Sequence, residues 1–337
     1  MKRLFHIVIF LLIIGGGKAE AQDIHFSQFL AAPFNYNPAV AGQFNGDWRL
    51  IGNQRTQWRS VTQPYQTVGG SIDARNPGQL KGLGASLSMY QDRAGDSYLN
   101  TFQINLGASF LSAISADSSH TISVGGQLGI TTQSINYDEL KFDNQWNGVA
   151  YDPGQLIGES FPTQRLSVAN LNIGTAYYWR IDDGRSFTAG LSLFNLLPAQ
   201  VSFLENSGIK RDVRLNVHAQ ADVEINEQWI ASPSLLLQFQ GTYKEAILGG
   251  TGTYVMIKES GIYRTVFGGL YYRTRDAGYI LAGMDYDNWR VGVSYDINLS
   301  DLRPASLARG GLEISVIYIW RKFRPPAIKY RVCPDYI

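Results

Sequence analysis

His218, Asp222 and Glu224 come nearest to a catalytic set in this chain, and their spacing defeats it. In RLNVHAQADVEI at 214–225, Leu215, Val217, Ala219, Ala221, Val223 and Ile225 alternate with Arg214, Asn216, His218, Gln220, Asp222 and Glu224. Alternation at period two marks a strand, with the six polar residues on one face. His218 and Asp222 then stand about 13 Å apart along it, too far for a hydrogen-bonded dyad. A Ser-His hydrolase would have to borrow a partner for His218 from a neighbouring strand. The chain has four histidines, one of them His6 in the leader, which argues against a His-rich metal centre.

Two acidic groupings invite other chemistry. DNQWNGVAYDPG at 143–154 gathers Asp143, Asn144, Asn147 and Asp152, oxygen donors that suit calcium, but at no EF-hand spacing. We read it as a polar loop. Asp92 and Asp96 flank Arg93 in YQDRAGD, which suits a turn with a local ion pair. No glycine cluster precedes a helical pattern, so no phosphate loop is indicated. The expectation is no catalytic residue, no cofactor and no metal.

The elements that would carry these side chains point to an unusual solvent. Charged residues make up 17% of 337, below the usual quarter of a soluble domain, while Gly and Tyr number 35 and 19. The net charge of +1 gives no electrostatic reason to propose nucleic acid. Lys2 and Arg3, an apolar run over 4–14, and Ala19-Glu20-Ala21 form a secretory signal cut between Ala21 and Gln22. The one cysteine, Cys333, excludes an intrachain disulfide.

Beyond Gln22 no stretch is apolar enough for a spanning helix, so a membrane role requires a closed β-barrel. Strand patterns fall at about 47–55, 65–74, 82–90, 98–110, 120–132, 167–179, 186–195, 212–225, 229–240, 243–256, 262–273, 278–286, 289–298 and 312–321. They make an even set of about 14, many long enough to cross a bilayer when tilted. Connections after even strands tend to be short, as at 181–184, 226–228 and 287–288, although 75–81 and 111–119 are not. Long ones follow odd strands, at about 133–166, 196–211 and 299–311. Outer-membrane barrels segregate periplasmic turns from outer loops in this way. Trp and Tyr at strand ends (Tyr177-Tyr178-Trp179, Trp229, Tyr271-Tyr272, Trp289, Tyr318 and Trp320) suit interfacial girdles.

The fold expected is therefore an all-β, up-and-down antiparallel transmembrane barrel. Residues 1–21 form the cleaved signal, 22–46 a periplasmic or lumenal segment, 47–321 the barrel and 322–337 a periplasmic tail. Arg214, Asn216, His218, Gln220, Asp222, Glu224, Arg290 and Asp296 should face the lumen. The segment 22–44, with two prolines and no alternation, should fold into the lumen or cap its periplasmic mouth. An even strand count would leave both termini in the periplasm.

Several segments carry a family resemblance. They are HFSQF at 25–29 (His25, Phe26, Ser27, Gln28, Phe29), NPAVAG at 37–42 (with Asn37, Pro38, Ala39 and Gly42), GDWR at 46–49 and QRTQW at 54–58. DRAGD at 92–96 (Asp92, Arg93, Gly95, Asp96), SYDINLSDLRPAS at 294–306, GGLEIS at 310–315 and Cys333-Pro334 extend it over the mature chain. Together they resemble the PorP/SprF family of the type IX secretion system and gliding machinery of Bacteroidetes. The resemblance implies an integral outer-membrane barrel similar to the long-chain fatty-acid transporter fold, set in outer-membrane lipid and not an enzyme. It implies as partner a large surface protein, an adhesin, bound through its C-terminal sorting domain by outer loops or by strand addition. Periplasmic components of the same machinery are implied as further contacts. The chain ends Asp335-Tyr336-Ile337, where many members stop soon after Cys-Pro. The alternative function is a small-solute pore or hydrophobic-substrate transporter.

Overall fold

Each alternating run is a strand. The computed structural model describes residues 23–57, 63–95, 99–137, 140, 142–152, 154–155, 162–203, 209–259, 262–300 and 309–321. The strands are β1 (Trp48–Gln57), β2 (Tyr65–Arg75), β3 (Leu83–Ala94), β4 (Leu99–Ala113), β5 (His120–Ser134), β6 (Arg165–Arg180) and β7 (Arg185–Phe194). They continue with β8 (Arg214–Asn226), β9 (Trp229–Gln240), β10 (Tyr243–Glu259), β11 (Ile262–Arg273), β12 (Ala277–Tyr286), β13 (Trp289–Asn298) and β14 (Arg309–Trp320). Every strand pairs antiparallel with its sequence neighbours, and β1 pairs β14 from Trp48↔Trp320 to Gln57↔Gly311, which closes the barrel. The sequence boundaries fall within a few residues of these strands.

Closure turns the alternation inside out. On β4, Leu106 and Phe110 are exposed while Asn105 and Ser109 are buried; on β5, Val124 and Leu128 are exposed while Ser123 and Gln127 are buried. A soluble sheet would bury the first set. Here the polar row faces the lumen and the apolar row meets hydrocarbon, the pattern of a bilayer barrel. Trp48, Trp179, Trp229, Trp289 and Trp320 stand outward at one end of the strands and form a girdle there. Tyr271 departs from the girdle reading: it is 6% exposed and stacks inside the barrel on Tyr279, at 4.9 Å. Tyr178 also faces inward and lines the lumenal cavity.

The long connections, 135–164, 195–213 and 299–308, share one end, together with short turns at 241–242 and 274–276, and the connections 181–184, 227–228 and 287–288 lie at the other. The short-turn end faces the periplasm in such barrels. The tryptophan girdle and both barrel termini, Trp48 and Trp320, lie at that end.

The interior core is a segment rather than a sheet-on-sheet layer. Residues 23–47 run through the lumen as three short 3-10 turns, Phe29–Ala31, Pro33–Asn35 and Pro38–Val40. Proline opens two of them, and it could not have donated to a strand ladder. Phe29 and Tyr36 pack on Leu236, Ile247, Tyr271 and Tyr279; Phe34, Ala39, Val40 and Ala41 pack with Ala176; Phe26 packs on Tyr90. The segment begins at the long-loop end, where Arg211 bonds the Asp23 carboxylate at 3.1 Å. It finishes at the short-turn end, where Asp47 N–H donates to Trp320 O at 2.9 Å. Strand parity thus placed the start of β1 correctly but not the chain before it, because that chain doubles back up the lumen. Ala21, Gln22 and the tail 322–337 lie outside the described residues.

A charge on the hydrocarbon face should separate this barrel from an inverted one. Leu106→Arg, at the middle of β4, should destabilise folding into bilayers by about 2–4 kcal/mol. Denaturant titration in lipid vesicles measures it; no loss would mean that this face does not meet lipid.

Candidate functional site: a lumenal plug and a periplasmic vestibule

The plug is fastened first by a buried ionic cluster. Alternation sends Arg55, Arg273 and Glu313 inward. Asp296 keeps the inward parity of Ser294 and Asn298, although β13 slips register against β14 between Tyr295 and Ile297. Asp296 takes Arg55 at 3.0 Å and Arg273 at 2.7 Å. Ser27 Oγ donates to the same carboxylate at 2.8 Å and accepts from Arg273 Nη1 at 3.1 Å. Glu313 accepts the backbone N–H groups of Ser27 at 2.7 Å and Gln28 at 3.0 Å. Gln28 Nε2 donates to Ser294 Oγ and to Glu313 O, and its Oε1 accepts from Ser315. Arg55 Nη1 also holds His25 O at 2.9 Å. Two guanidinium groups thus face two carboxylates, and the plug's own polar groups take most of the remaining sites; Arg55 Nε, 3.9 Å from Glu313, has no hydrogen-bond partner.

The second fastening uses space. Asn37 Oδ1 accepts Ala39 N–H at 2.9 Å, and its Nδ2 donates to Thr175 O at 3.0 Å and meets His218 Nε2 at 2.9 Å. The amide fits because the wall beside it has no side chains. A Cβ on Gly174 would stand 2.1 Å from Asn37 Oδ1, one on Gly190 2.7 Å from Asn37 Nδ2, and one on Gly125 2.7 Å from the Ala39 Cα. Such gaps admit a second backbone against the strands. Near the periplasmic end, Gly42 N–H donates to Asp73 at 2.9 Å, and Arg49 clamps both Asp73 oxygens at 2.8 and 2.9 Å.

At the outer end, burial alone would raise the Asp23 carboxyl, but Arg214 and Arg211 bring it down to about 2. Desolvation of the His25 ring, with Arg55 and Arg273 nearby, pushes its imidazole well below the ordinary 6.5. Its Nε2 is buried without a hydrogen-bond partner.

Below the plug the lumen opens as a cavity of about 1280 Å³ whose mouth lies at the short-turn end. Tyr36, His218, Phe267 and Tyr271 are among its deeper lining, and Arg75, Lys81, Asp182 and Arg290 among its rim.

Among the residues expected in the lumen, Arg214, Asn216, His218 and Asp296 are buried against the plug. Arg214 Nη2 donates to Asn35 O, and Asn216 Nδ2 to Tyr36 O. Gln220, Asp222, Glu224 and Arg290 line the vestibule instead. Of the motif residues, His25, Phe26, Ser27, Gln28, Phe29, Asn37, Pro38, Ala39 and Gly42 are gathered in the plug. Asp92 accepts from Thr67 Oγ1 at 2.6 Å toward the outer end of the wall, Arg93 is exposed and Gly95 begins the next turn, away from the plug. Asp96 lies outside the described residues. In the loop at 143–154, Asn147 Oδ1 accepts Val149 and Ala150 N–H, and Asp152 Oδ1 accepts Gly154 N–H. Arg49, Arg55, Asp73, Arg273 and Glu313 were not singled out from sequence. Their signal was present, since charges on the inward parity of a lipid-facing strand need a partner inside.

A closed antiparallel barrel with an apolar exterior, a polar lumen and an internal plug defines an integral outer-membrane protein. A sequence model of the type IX secretion system membrane protein PorP/SprF family matches residues 18–318, and the chain belongs to that family. Among solved structures, the toluene transporter TodX of Pseudomonas putida is 10% identical, with 85% of this chain and 92% of that chain covered and a TM-score of 0.49. A FadL homologue of Pseudomonas aeruginosa is 9% identical over 85% and 93%, at 0.46. The KdgM porin is 9% identical over 82% and 99%, at 0.39. No curated protein matches the chain.

Two variants probe the fastenings. Glu313→Ala strands two buried N–H groups and unbalances Arg55, and should loosen the plug by about 3–5 kcal/mol. Gly174→Val should loosen it without removing any charge. Proteolysis of the 23–47 segment in folded protein should rise for both while the barrel persists in gel migration.

Acidification offers a third test. Undocked, His25 titrates near 6.5; docked, it binds its proton less readily. Docking is therefore unaffected by this group above 6.5 and weakens as pH falls below, by up to about 1.4 kcal/mol per unit. Asp23 contributes above about 4 and loses its contribution only as pH falls toward 2, so it is silent in this window. Plug proteolysis should increase from pH 7.5 to 5.5, and His25→Gln should flatten the dependence.

Proposed function

We propose that this barrel is a non-enzymatic outer-membrane anchor that holds a large surface protein of the type IX secretion system, an adhesin, through its C-terminal domain. The observation that carries the reading is the occupied lumen. Residues 23–47 occupy it above the vestibule and are tied to both ends by ionic and hydrogen-bonded contacts, so the barrel resembles a rigid post more than a conduit. Rigid strands holding shaped loops suit recognition. Closure leaves no free sheet edge on the barrel, so strand addition there would have to use a loop.

The connection 135–164 offers such an element. Trp146 and Tyr151 bridge as a small hairpin around Asn147–Ala150, with Trp146 58% and Val149 86% exposed. Exposed aromatics on a fixed turn are suited to become interface anchors. Periplasmic components of the secretion machinery and a part in gliding belong to the same reading.

The vestibule supports a second reading, a transporter for small or hydrophobic solutes, since its wall combines ionic groups with Tyr271 and Phe267.

Affinity capture from detergent-solubilised outer membranes should recover an adhesin's C-terminal domain that stays bound in high salt. Trp146→Ala/Val149→Asp should lower that recovery by about tenfold or more, with barrel folding unchanged. Normal surface display after deletion of the gene would overturn the anchor reading. Solute uptake or conductance by the reconstituted protein would favour the transporter.

A further inference from the structure

The head of the vestibule holds two polar groups that the protein itself leaves unpaired. Asn37 Oδ1 accepts the Ala39 N–H, so its Nδ2 is the donor that meets His218 Nε2 at 2.9 Å. Nε2 is therefore the accepting nitrogen of a neutral ring, and the proton sits on Nδ1. Among the described residues Nδ1 makes no hydrogen bond, and neither does the hydroxyl of Tyr36, whose ring meets that of His218 edge-on at 4.8 Å. His218 is 4% exposed and Tyr36 7%, and both line the cavity. Water from the mouth can serve these groups, and a ligand that brings an acceptor can take its place.

Toward the mouth the same strand carries an uncompensated charge. Asp222 follows His218 on the inner face of β8, about 13 Å along it. Its carboxylate accepts from Ser232 at 2.7 Å, Gln220 at 3.0 Å and Ser186 at 3.5 Å, all neutral, and is paired with no cation among the described residues. Arg185 and Arg290, which line this side of the cavity, are engaged by Asp182 and Asp285. An aromatic ring stands between the two polar ends. Tyr271 of β11 is laddered to Gly249 of β10, Gly249 to Ser234 of β9, and Ser234 to Gln220 of β8, midway from His218 to Asp222. The Tyr271 ring lies along this row. A Cβ on Gly249 would stand 2.5 Å from it, and its hydroxyl accepts from Ser234 at 3.2 Å.

We propose that this wall binds an organic cation, with an ammonium group at Asp222, a hydroxyl or carbonyl acceptor at His218 Nδ1 and the Tyr36 hydroxyl, and an apolar spacer against Tyr271. Two hydrogen bonds of about 2.8 Å within about 13 Å leave roughly 7 Å for the ligand, the span of an aryl ring with a short arm. The carboxylate supplies a charge-assisted bond to the ammonium, and the aromatic face attracts the same charge. A cavity of about 1280 Å³ admits such a molecule from the periplasmic mouth. Tyramine, a phenol joined to an ammonium through a short carbon arm, has this form. The inference rests on the transporter reading for its route of entry; it is measured as binding to the purified barrel and that reading as uptake, so either can fail alone.

Isothermal titration calorimetry of the full-length protein in neutral detergent tests the site. Tyramine should bind. Phenethylamine, which lacks the hydroxyl, should bind about three- to tenfold more weakly. The anion para-hydroxyphenylpropionate should not bind. Asp222→Asn should weaken tyramine at least about tenfold. Tyr36→Phe removes only an unpaired hydroxyl and should narrow the gap between the two amines. The three ligands on the wild type carry the test if a variant fails to fold. No binding of tyramine at about 1 mM overturns the proposal. So does equal binding of the two amines, binding of the propionate, or unchanged affinity in Asp222→Asn, since each would mean that no such wall selects the ligand.

Discussion

Hydrocarbon offers the backbone no hydrogen-bond partner, and the rest of this structure follows from that constraint. Each strand must be paired on both sides, so the sheet closes through β1 and β14. Closure assigns the apolar parity to lipid and the polar parity to an interior. An interior lined by Asn53, Asn105, Gln127, Asn170 and Asn172 is stable only if water or protein fills it. The chain fills it with its own N-terminal segment, which brings aromatic mass to the centre and polar groups to the wall.

The plug and the wall answer each other by charge and by volume. Arg55, Arg273, Asp296 and Glu313 would be costly singly, but Ser27 and Gln28 hydrogen-bond to the cluster and so set the height of the segment in the barrel. Gly125, Gly174 and Gly190 remove side chains where Asn37-Pro38-Ala39 must approach the wall. The charges fix register and the glycines permit contact.

The segment's direction also divides the lumen into two unlike ends. Its dense part faces the long loops, where Asp23 meets Arg211 and Arg214, and its thin part ends at Asp47 beside the vestibule. The outer end is therefore a braced platform beneath the loops, and the periplasmic end is an open, charged recess.

Much of this was legible in the chain. Alternation in segments such as 101–110 and 214–225 determined the strands, because a strand's side chains have a period of two whatever the fold. The length and even number of the strands pointed to the barrel, and the parity of Arg214, Asn216, His218 and Asp296 determined that they turn inward. The motifs at 25–29 and 37–42 were visible as non-strand. What they touch was not, since Ser27 and Glu313 are 286 residues apart in sequence and meet only because the barrel is closed. Nor could parity, which turns Tyr271 inward with Arg273, tell that its ring stacks on Tyr279, or that the chain before β1 starts at the outer end. Local pattern records which face a residue takes; the direction of an unpaired segment and its partners depend on the volume and charge left inside the closed sheet, which exist only once it has closed.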